Sequence, residues 1–214
     1  MITKFLNREK GITGLETAII LIAFVVVAAV FAYTALTAGL FSTQKAQEAV
    51  YSGLKEAQST LELRGGVIAK AGVTGSSGTV AQVTFVVANV LGGEAIDFTP
   101  PTAASGNTGF ADATSTNVVV LNYISQEQTA NDLYWTITKL GNADGDDLLE
   151  TDERFQVNVG SATAGDSGGN LIDALDPDLS VKTTFDLEVL TPVGAVLVIE
   201  RTTPPWIDTV VNLR

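Results

Sequence analysis

Between Asn142 and Glu153 the chain sets seven carboxylate or carboxamide side chains within twelve residues: Asn142, Asp144, Asp146, Asp147, Glu150, Asp152 and Glu153. Hard cations such as Ca²⁺ take six to eight oxygen ligands, and alternating Asx residues on a loop supply them. Asn142, Asp144, Asp146, Asp147 and Glu150 are the candidate ligands of a structural Ca²⁺. The other reading of the same residues is a solvated, charged turn. Gly145 comes too early in the run for an EF-hand register. No nucleophile with a complementary base adjoins these carboxylates, so the loop is a poor catalytic site. The chain contains neither His nor Cys. That excludes the Ser-His-acid triad, thiolate chemistry and the usual zinc constellations. A Gly-x-x-x-x-Gly-Lys-Ser/Thr phosphate loop is also missing. No catalytic residue and no required cofactor emerge, and an enzyme is not expected.

The acidic loop belongs to a chain of two unlike parts. Over all 214 residues, 24 acidic side chains face 12 basic ones, a net charge of −12. Residues 1–66 carry six basic and five acidic groups, whereas residues 67–214 carry six and nineteen. Such a balance argues against a nucleic-acid partner, because phosphate recognition needs a basic face. Ala18 to Tyr33 contains no polar residue apart from the Tyr33 hydroxyl, and apolar character continues to Phe41. At about 1.5 Å per residue this run spans roughly 36 Å as a helix, enough for a hydrocarbon layer of about 30 Å. Lys4, Arg8 and Lys10 form a basic head upstream, the flank expected on the cytoplasmic side of an inserting helix.

Beyond the greasy run the pattern turns amphipathic: Ala46, Ala49, Val50, Leu54, Ala57 and Leu61 recur at helical spacing. Gly65-Gly66 is a stop signal, with Arg64 suited to the negative end of a helix dipole. One helix from Ile12 to Leu63 would be roughly 75 Å long. No domain of the remaining size buries such a rod, so much of it must pack against lipid or other chains. Ala28, Ala32, Ala35 and Gly39 line one side, the small-residue spacing that lets helix backbones approach closely; the other reading is that alanine is simply common in apolar helices.

After Gly66 the sequence reads as β. Candidate strands are 67–71, 79–87, 117–125, 133–140, 154–159, 181–190 and 195–201, separated by Gly/Ser/Thr/Asp-rich connectors. Thr191-Pro192-Val193-Gly194 has the residue preference of a type I turn and would join the last two strands. The expected class is α+β: a long N-terminal hydrophobic α-helix followed by an antiparallel immunoglobulin-like β-sandwich.

Three N-terminal readings compete. A cleaved secretory signal has a shorter apolar run; a plain anchor leaves the junction words unexplained. Those words are Arg8-Glu9-Lys10-Gly11 and Ile12-Thr13-Gly14-Leu15-Glu16-Thr17. With the helix that follows, they resemble the precursors of archaellins, the archaeal flagellins, and more broadly the type IV pilin superfamily. The resemblance implies cleavage between Gly11 and Ile12 by a prepilin-type peptidase, which leaves the helix on the mature protein. Glu16 becomes the fifth mature residue, the place where that superfamily carries Glu. By the same analogy its partner is the new α-amino group of Ile12 on a neighbouring subunit; solvation at headgroup level is the other reading. Asp144-Gly145-Asp146-Asp147-Leu148-Leu149-Glu150 and Thr191-Pro192-Val193-Gly194 extend the resemblance into the outer domain. Thr151-Asp152-Glu153 departs from the Pro-Gly-Glu that often follows in relatives.

The expected organisation is therefore a signal peptide over 1–11, a filament-core helix over 12–64 and an outer sandwich over 67–214. The implied role is a structural subunit of the archaellum, the rotating swimming filament. Its helix inserts in the membrane before assembly, then packs among copies of itself or other archaellins in an extracellular filament on the archaeal cell surface. The motor machinery would be other proteins. An adhesive archaeal type IV pilin and a membrane-anchored surface binding domain are the alternatives.

Overall fold

The computed structural model describes residues 3–58, 60–90, 94–163 and 166–213, with side chains described from residue 14 to 54 and from residue 60 onward. Two units divide the chain, Met1–Ser52 and Gly53–Arg214. Helix α1 runs Thr3–Gln58. It contains no proline, and its Thr17, Thr34, Thr37 and Thr43 hydroxyls bond back to carbonyls three or four residues earlier. That local bonding satisfies polar groups that an apolar surrounding could not.

The helix stops earlier than the Ile12–Arg64 span expected from sequence. Leu61–Leu63 is instead the first strand, β1, paired with Val87–Asn89. The reason is a change of period. Leu61 is buried and Leu63 packs against the core, while Glu62 points outward and pairs with Arg64 at 2.9 Å. Apolar residues two apart fit a strand and cannot share a helix face. Gly65, at φ +86, thus ends no helix. It breaks the chain between β1 and β2 (Val67–Val73), which occupy successive stretches of one edge of β3 (Thr79–Asn89).

On the other edge of β3 lies β9 (Arg154–Val159), and β7 (Trp135–Leu140) follows it. A second sheet joins β5 (Val120–Ser125), β6 (Thr129–Ala130), β10 (Thr184–Leu190) and β11 (Leu197–Thr202). β4 (Ile96–Asp97) and β8 (Leu148–Leu149) form a separate short pair. Every pairing is antiparallel. The chain is α+β, a long helix followed by antiparallel sheets. The turn at Thr191–Gly194 does connect β10 to β11, with Val189 opposite Leu197.

Both sheets feed one apolar core, as alternation requires when one face of each is buried. Phe85, Phe155 and Val157 come from one sheet, Tyr123, Phe185 and Leu187 from the other. Phe98 meets Trp135 and Phe155 edge-on, at centroid distances of 5.9 and 6.0 Å, the geometry that ring quadrupoles favour. A short helix α2 (Leu171–Ala174) is closed by a capping box between Asn170 and Asp173. The C-terminal segment packs on its own sandwich. Ile207 is buried and bridges Gly75, and β12 (Val210–Leu213) pairs with β2.

Candidate functional site

Two features carry chemistry or assembly: α1 and the acidic loop. Every described side chain of α1 from Gly14 to Leu54 is exposed. The stretch is 41 residues long, with a mean hydropathy of 2.8 in its most apolar window, and qualifies as membrane-spanning by length and composition. Leu15, Phe24, Phe31 and Tyr33 are each about two-thirds exposed or more. Soluble monomers rarely expose contiguous apolar surface beyond a few hundred Å². Glu16 is exposed and is the one charged residue between Gly14 and Gln44.

Ala28, Ala32, Ala35 and Gly39 are exposed on the same helix. At about 100° per residue they fall within an arc of roughly 60°. A Cβ added at Gly39 meets nothing within 4 Å, and the same holds at Gly14 and Gly53. Those two glycines fall on the same arc and extend the small-residue stripe beyond Ala28–Gly39 at both ends. Glycine inside a helix costs about 1 kcal/mol relative to alanine, and among the described residues no close contact at these three positions calls for it. Gly11 and Ile12 lie in the backbone of α1, but their side chains fall outside the described residues.

The acidic loop links β7 to β9 and is fastened by β8. Leu149 is fully buried and pairs with Ile96, which leaves the flanking carboxylates at the surface. The structure gathers Asp144 and Glu150, but the third member of the group is Glu153; their ligand oxygens lie within 4.8 Å of one another. Glu153 is buried, and its two oxygens accept the backbone N–H groups of Asp144 at 3.0 Å and Glu150 at 3.1 Å. Asp146 accepts the N–H of Leu148 at 3.0 Å. Asp147 pairs with Lys139 at 2.9 Å, and the same ammonium donates to the Gly145 carbonyl at 2.8 Å. Asn142 faces a neighbouring cavity instead. Of the expected ligand set, Asp144 and Glu150 come together with Glu153; Asp144 and Asp146 each accept one backbone N–H of the loop, Asp147 pairs with Lys139, and Asn142 lines the cavity. Glu153 was legible only as one more acid of the run; its burial depends on the β9 register.

The chain joins an exposed apolar helix of membrane-spanning length to sheets whose described pairings are all antiparallel, the architecture of a subunit with an N-terminal helix and a β domain. The archaeal-type flagellin family model matches residues 11–201, and the chain belongs to that family. It is 38% identical to probable flagellin 1 of Archaeoglobus fulgidus, over 98% of both chains. Identity to probable flagellin 2 of the same organism is 39%, over 94% of this chain and 93% of that one. Among solved structures it is similar to a chain of the archaeal flagellum of Methanospirillum hungatei strain JF1. The TM-score is 0.58 and the identity 28%, over 94% of this chain and 98% of the other.

Proposed function

We propose that this chain is a structural subunit of the archaeal swimming filament. The observation that carries the reading is the unbroken exposure of α1 from Gly14 to Leu54 in a member of the flagellin family. Such a surface is sheltered by lipid before assembly and by like helices after it. The transfer is nearly neutral in free energy, because acyl chains are as apolar as leucine side chains. A heterologous contact that does not close then propagates as a helical polymer. Ala28, Ala32, Ala35 and Gly39 form the closest helix–helix approach, and Glu16 finds its counter-charge in the α-amino group of Ile12 on a neighbour.

That α-amino group exists only after a prepilin-type peptidase has cut between Gly11 and Ile12. The family match beginning at residue 11 supports this boundary. The motor machinery turns the filament from the cell envelope, and the sandwiches form its outer wall. Polymerisation needs no catalytic group and no cofactor. A Ca²⁺ ion at Asp144, Glu150 and Glu153 would be an accessory, easing repulsion among carboxylates in a loop that hydrogen bonds already close.

N-terminal sequencing of the mature protein from cell-surface filaments tests the reading. A sequence starting at Ile12 is expected; a start at Met1 would leave a simple membrane tether.

A further inference from the structure

The filament reading raises an electrostatic difficulty, and one recess in the sandwich answers it. Residues 67–214 hold nineteen acidic groups against six basic ones. Two such domains brought side by side place acid against acid, and unrelieved like-charge contacts across an interface are strongly unfavourable. Most contacts in the filament wall therefore need one of the few cations.

Lys139 is already committed to Asp147, one arm of the Arg201 guanidinium bonds the Glu200 carbonyl, and Lys70 and Lys182 carry ammonium groups that are free among the described residues and line no part of that recess. Arg64 and Arg154 differ, because both line one open cavity of about 570 Å³. Val86 and Leu140 supply apolar wall to this cavity, and Asn142 and Asp152 its polar rim. The elements beneath explain the convergence. Arg154 opens β9 opposite Leu140, and the Arg64 N–H donates to the Val86 carbonyl at the break between β1 and β2.

Among the described residues, the Arg154 guanidinium has no hydrogen bond and no ion pair. Its neighbour Glu153 makes no ion pair with it among the described residues; both carboxylate oxygens accept backbone N–H groups of the acidic loop. Arg64 has one partner, Glu62, which leaves most of its five donors open.

We propose that this recess is a carboxylate receptor for a second copy of the chain, an acidic loop of whose outer domain docks between Arg64 and Arg154. The proposal rests on the filament reading. A guanidinium binds a carboxylate through two parallel hydrogen bonds and so fixes orientation as well as contact. Arginine stems pack on Val86 and Leu140 while their heads meet the incoming acid. The receptor gives the outer wall its register, whereas α1 supplies the drive to polymerise.

Zero-length coupling tests it in filaments purified from cells that assemble the chain. Arg154→Lys keeps the positive charge and gives a primary amine that carbodiimide joins to any touching carboxylate. Filaments of this variant should yield dimers and larger species in which position 154 is linked to an acidic residue of another chain. Links confined to Asp152 or Glu153 of the same chain, or an unmodified amine at position 154, would overturn the proposal. Arg154→Glu filaments should dissociate at a lower temperature than wild type, with Arg154→Lys between the two because it keeps the charge and loses the paired hydrogen bonds; equal midpoints for all three also overturn it. Micrographs of the same samples separate the two levels: filaments without the link sink the receptor alone, whereas a wild type that forms no filaments sinks the filament role.

Discussion

Glu153 accepts the backbone N–H of Asp144 at 3.0 Å, nine residues upstream, and so draws the acidic loop closed from its own far end. A second bond, from the Glu150 N–H at 3.1 Å, uses the other oxygen of the same carboxylate. Hydrogen bonds to a charged group contribute about 1.5–3 kcal/mol each. Glu153→Ala should therefore destabilise the outer domain by about 2–4 kcal/mol. Exchange at the Asp144 and Glu150 amides should rise in hydrogen-exchange measurements. Both effects should persist in excess chelator, because the closure is a protein–protein hydrogen-bond pair.

Added Ca²⁺ acts on a different quantity. It should raise the thermal midpoint of the wild type modestly, and Glu150→Gln or Asp144→Asn should remove that increment. A midpoint identical in Ca²⁺ and in chelator would remove the ion from the loop.

Asp132 gives a pH-dependent prediction. It sits at φ +57 with one carboxylate oxygen buried and without a hydrogen-bond partner, and burial raises its pKa above the usual carboxylate value of 3.8. A raised acid favours folding below its unfolded pKa, and that contribution is lost as pH climbs through the folded value. Asp132→Asn removes the charge and suits the left-handed backbone. The variant should melt higher than wild type at neutral pH, and the gap should close as the pH falls below about 3.8.

Gly39 separates subunit stability from assembly. A Cβ there meets nothing within 4 Å among the described residues, and alanine is better than glycine in a helix by about 1 kcal/mol. Gly39→Leu should leave the sandwich fold and its melting unchanged, and yet reduce or abolish filaments on the cell surface. Gly39→Ala should be milder in the same assay. Normal filaments from Gly39→Leu would take this face out of the helix–helix contact.

The C-terminal strand is tested by two of its own residues. Leu213 is buried, whereas Val210 is more than half exposed. Leu213→Ala should cost about 2–4 kcal/mol in denaturant unfolding, and Val210→Ala should stay within about 0.5 kcal/mol of wild type.

How far the fold was legible follows from what each segment had to say locally. β9 was readable residue for residue, because Arg154–Val159 alternates without interruption. The β10–β11 hairpin was readable from its Pro and Gly. β1 was not, since Leu61 also continues the helical spacing from Ala57; only its pairing with Asn89 decides between the two periods. β4, β6 and β8 are two residues each, too short to show a period, and they exist through their partners. β12 lies beyond Pro204-Pro205, where the chain signals a turn and not a return to the sheet. In the acidic loop, composition showed that oxygens were concentrated but not which ones meet. Lys139 is eight residues from Asp147, and composition alone does not show that the two pair. The exposed helix was the clearest element, because the run from Ala18 to Phe41, apolar apart from Tyr33, Thr34 and Thr37, carries the signal without help from tertiary structure.

The burial of α1 among other copies is the claim on which the function rests, and electron cryo-microscopy of filaments purified from the cell surface measures it directly. The expected map has α1 helices of many subunits packed together along the axis, Ala28, Ala32, Ala35 and Gly39 at close helix contacts, and the sandwiches outside. A map with this sandwich at its surface but no helical core, or a chain recovered only as isolated membrane-bound monomers, would refute it.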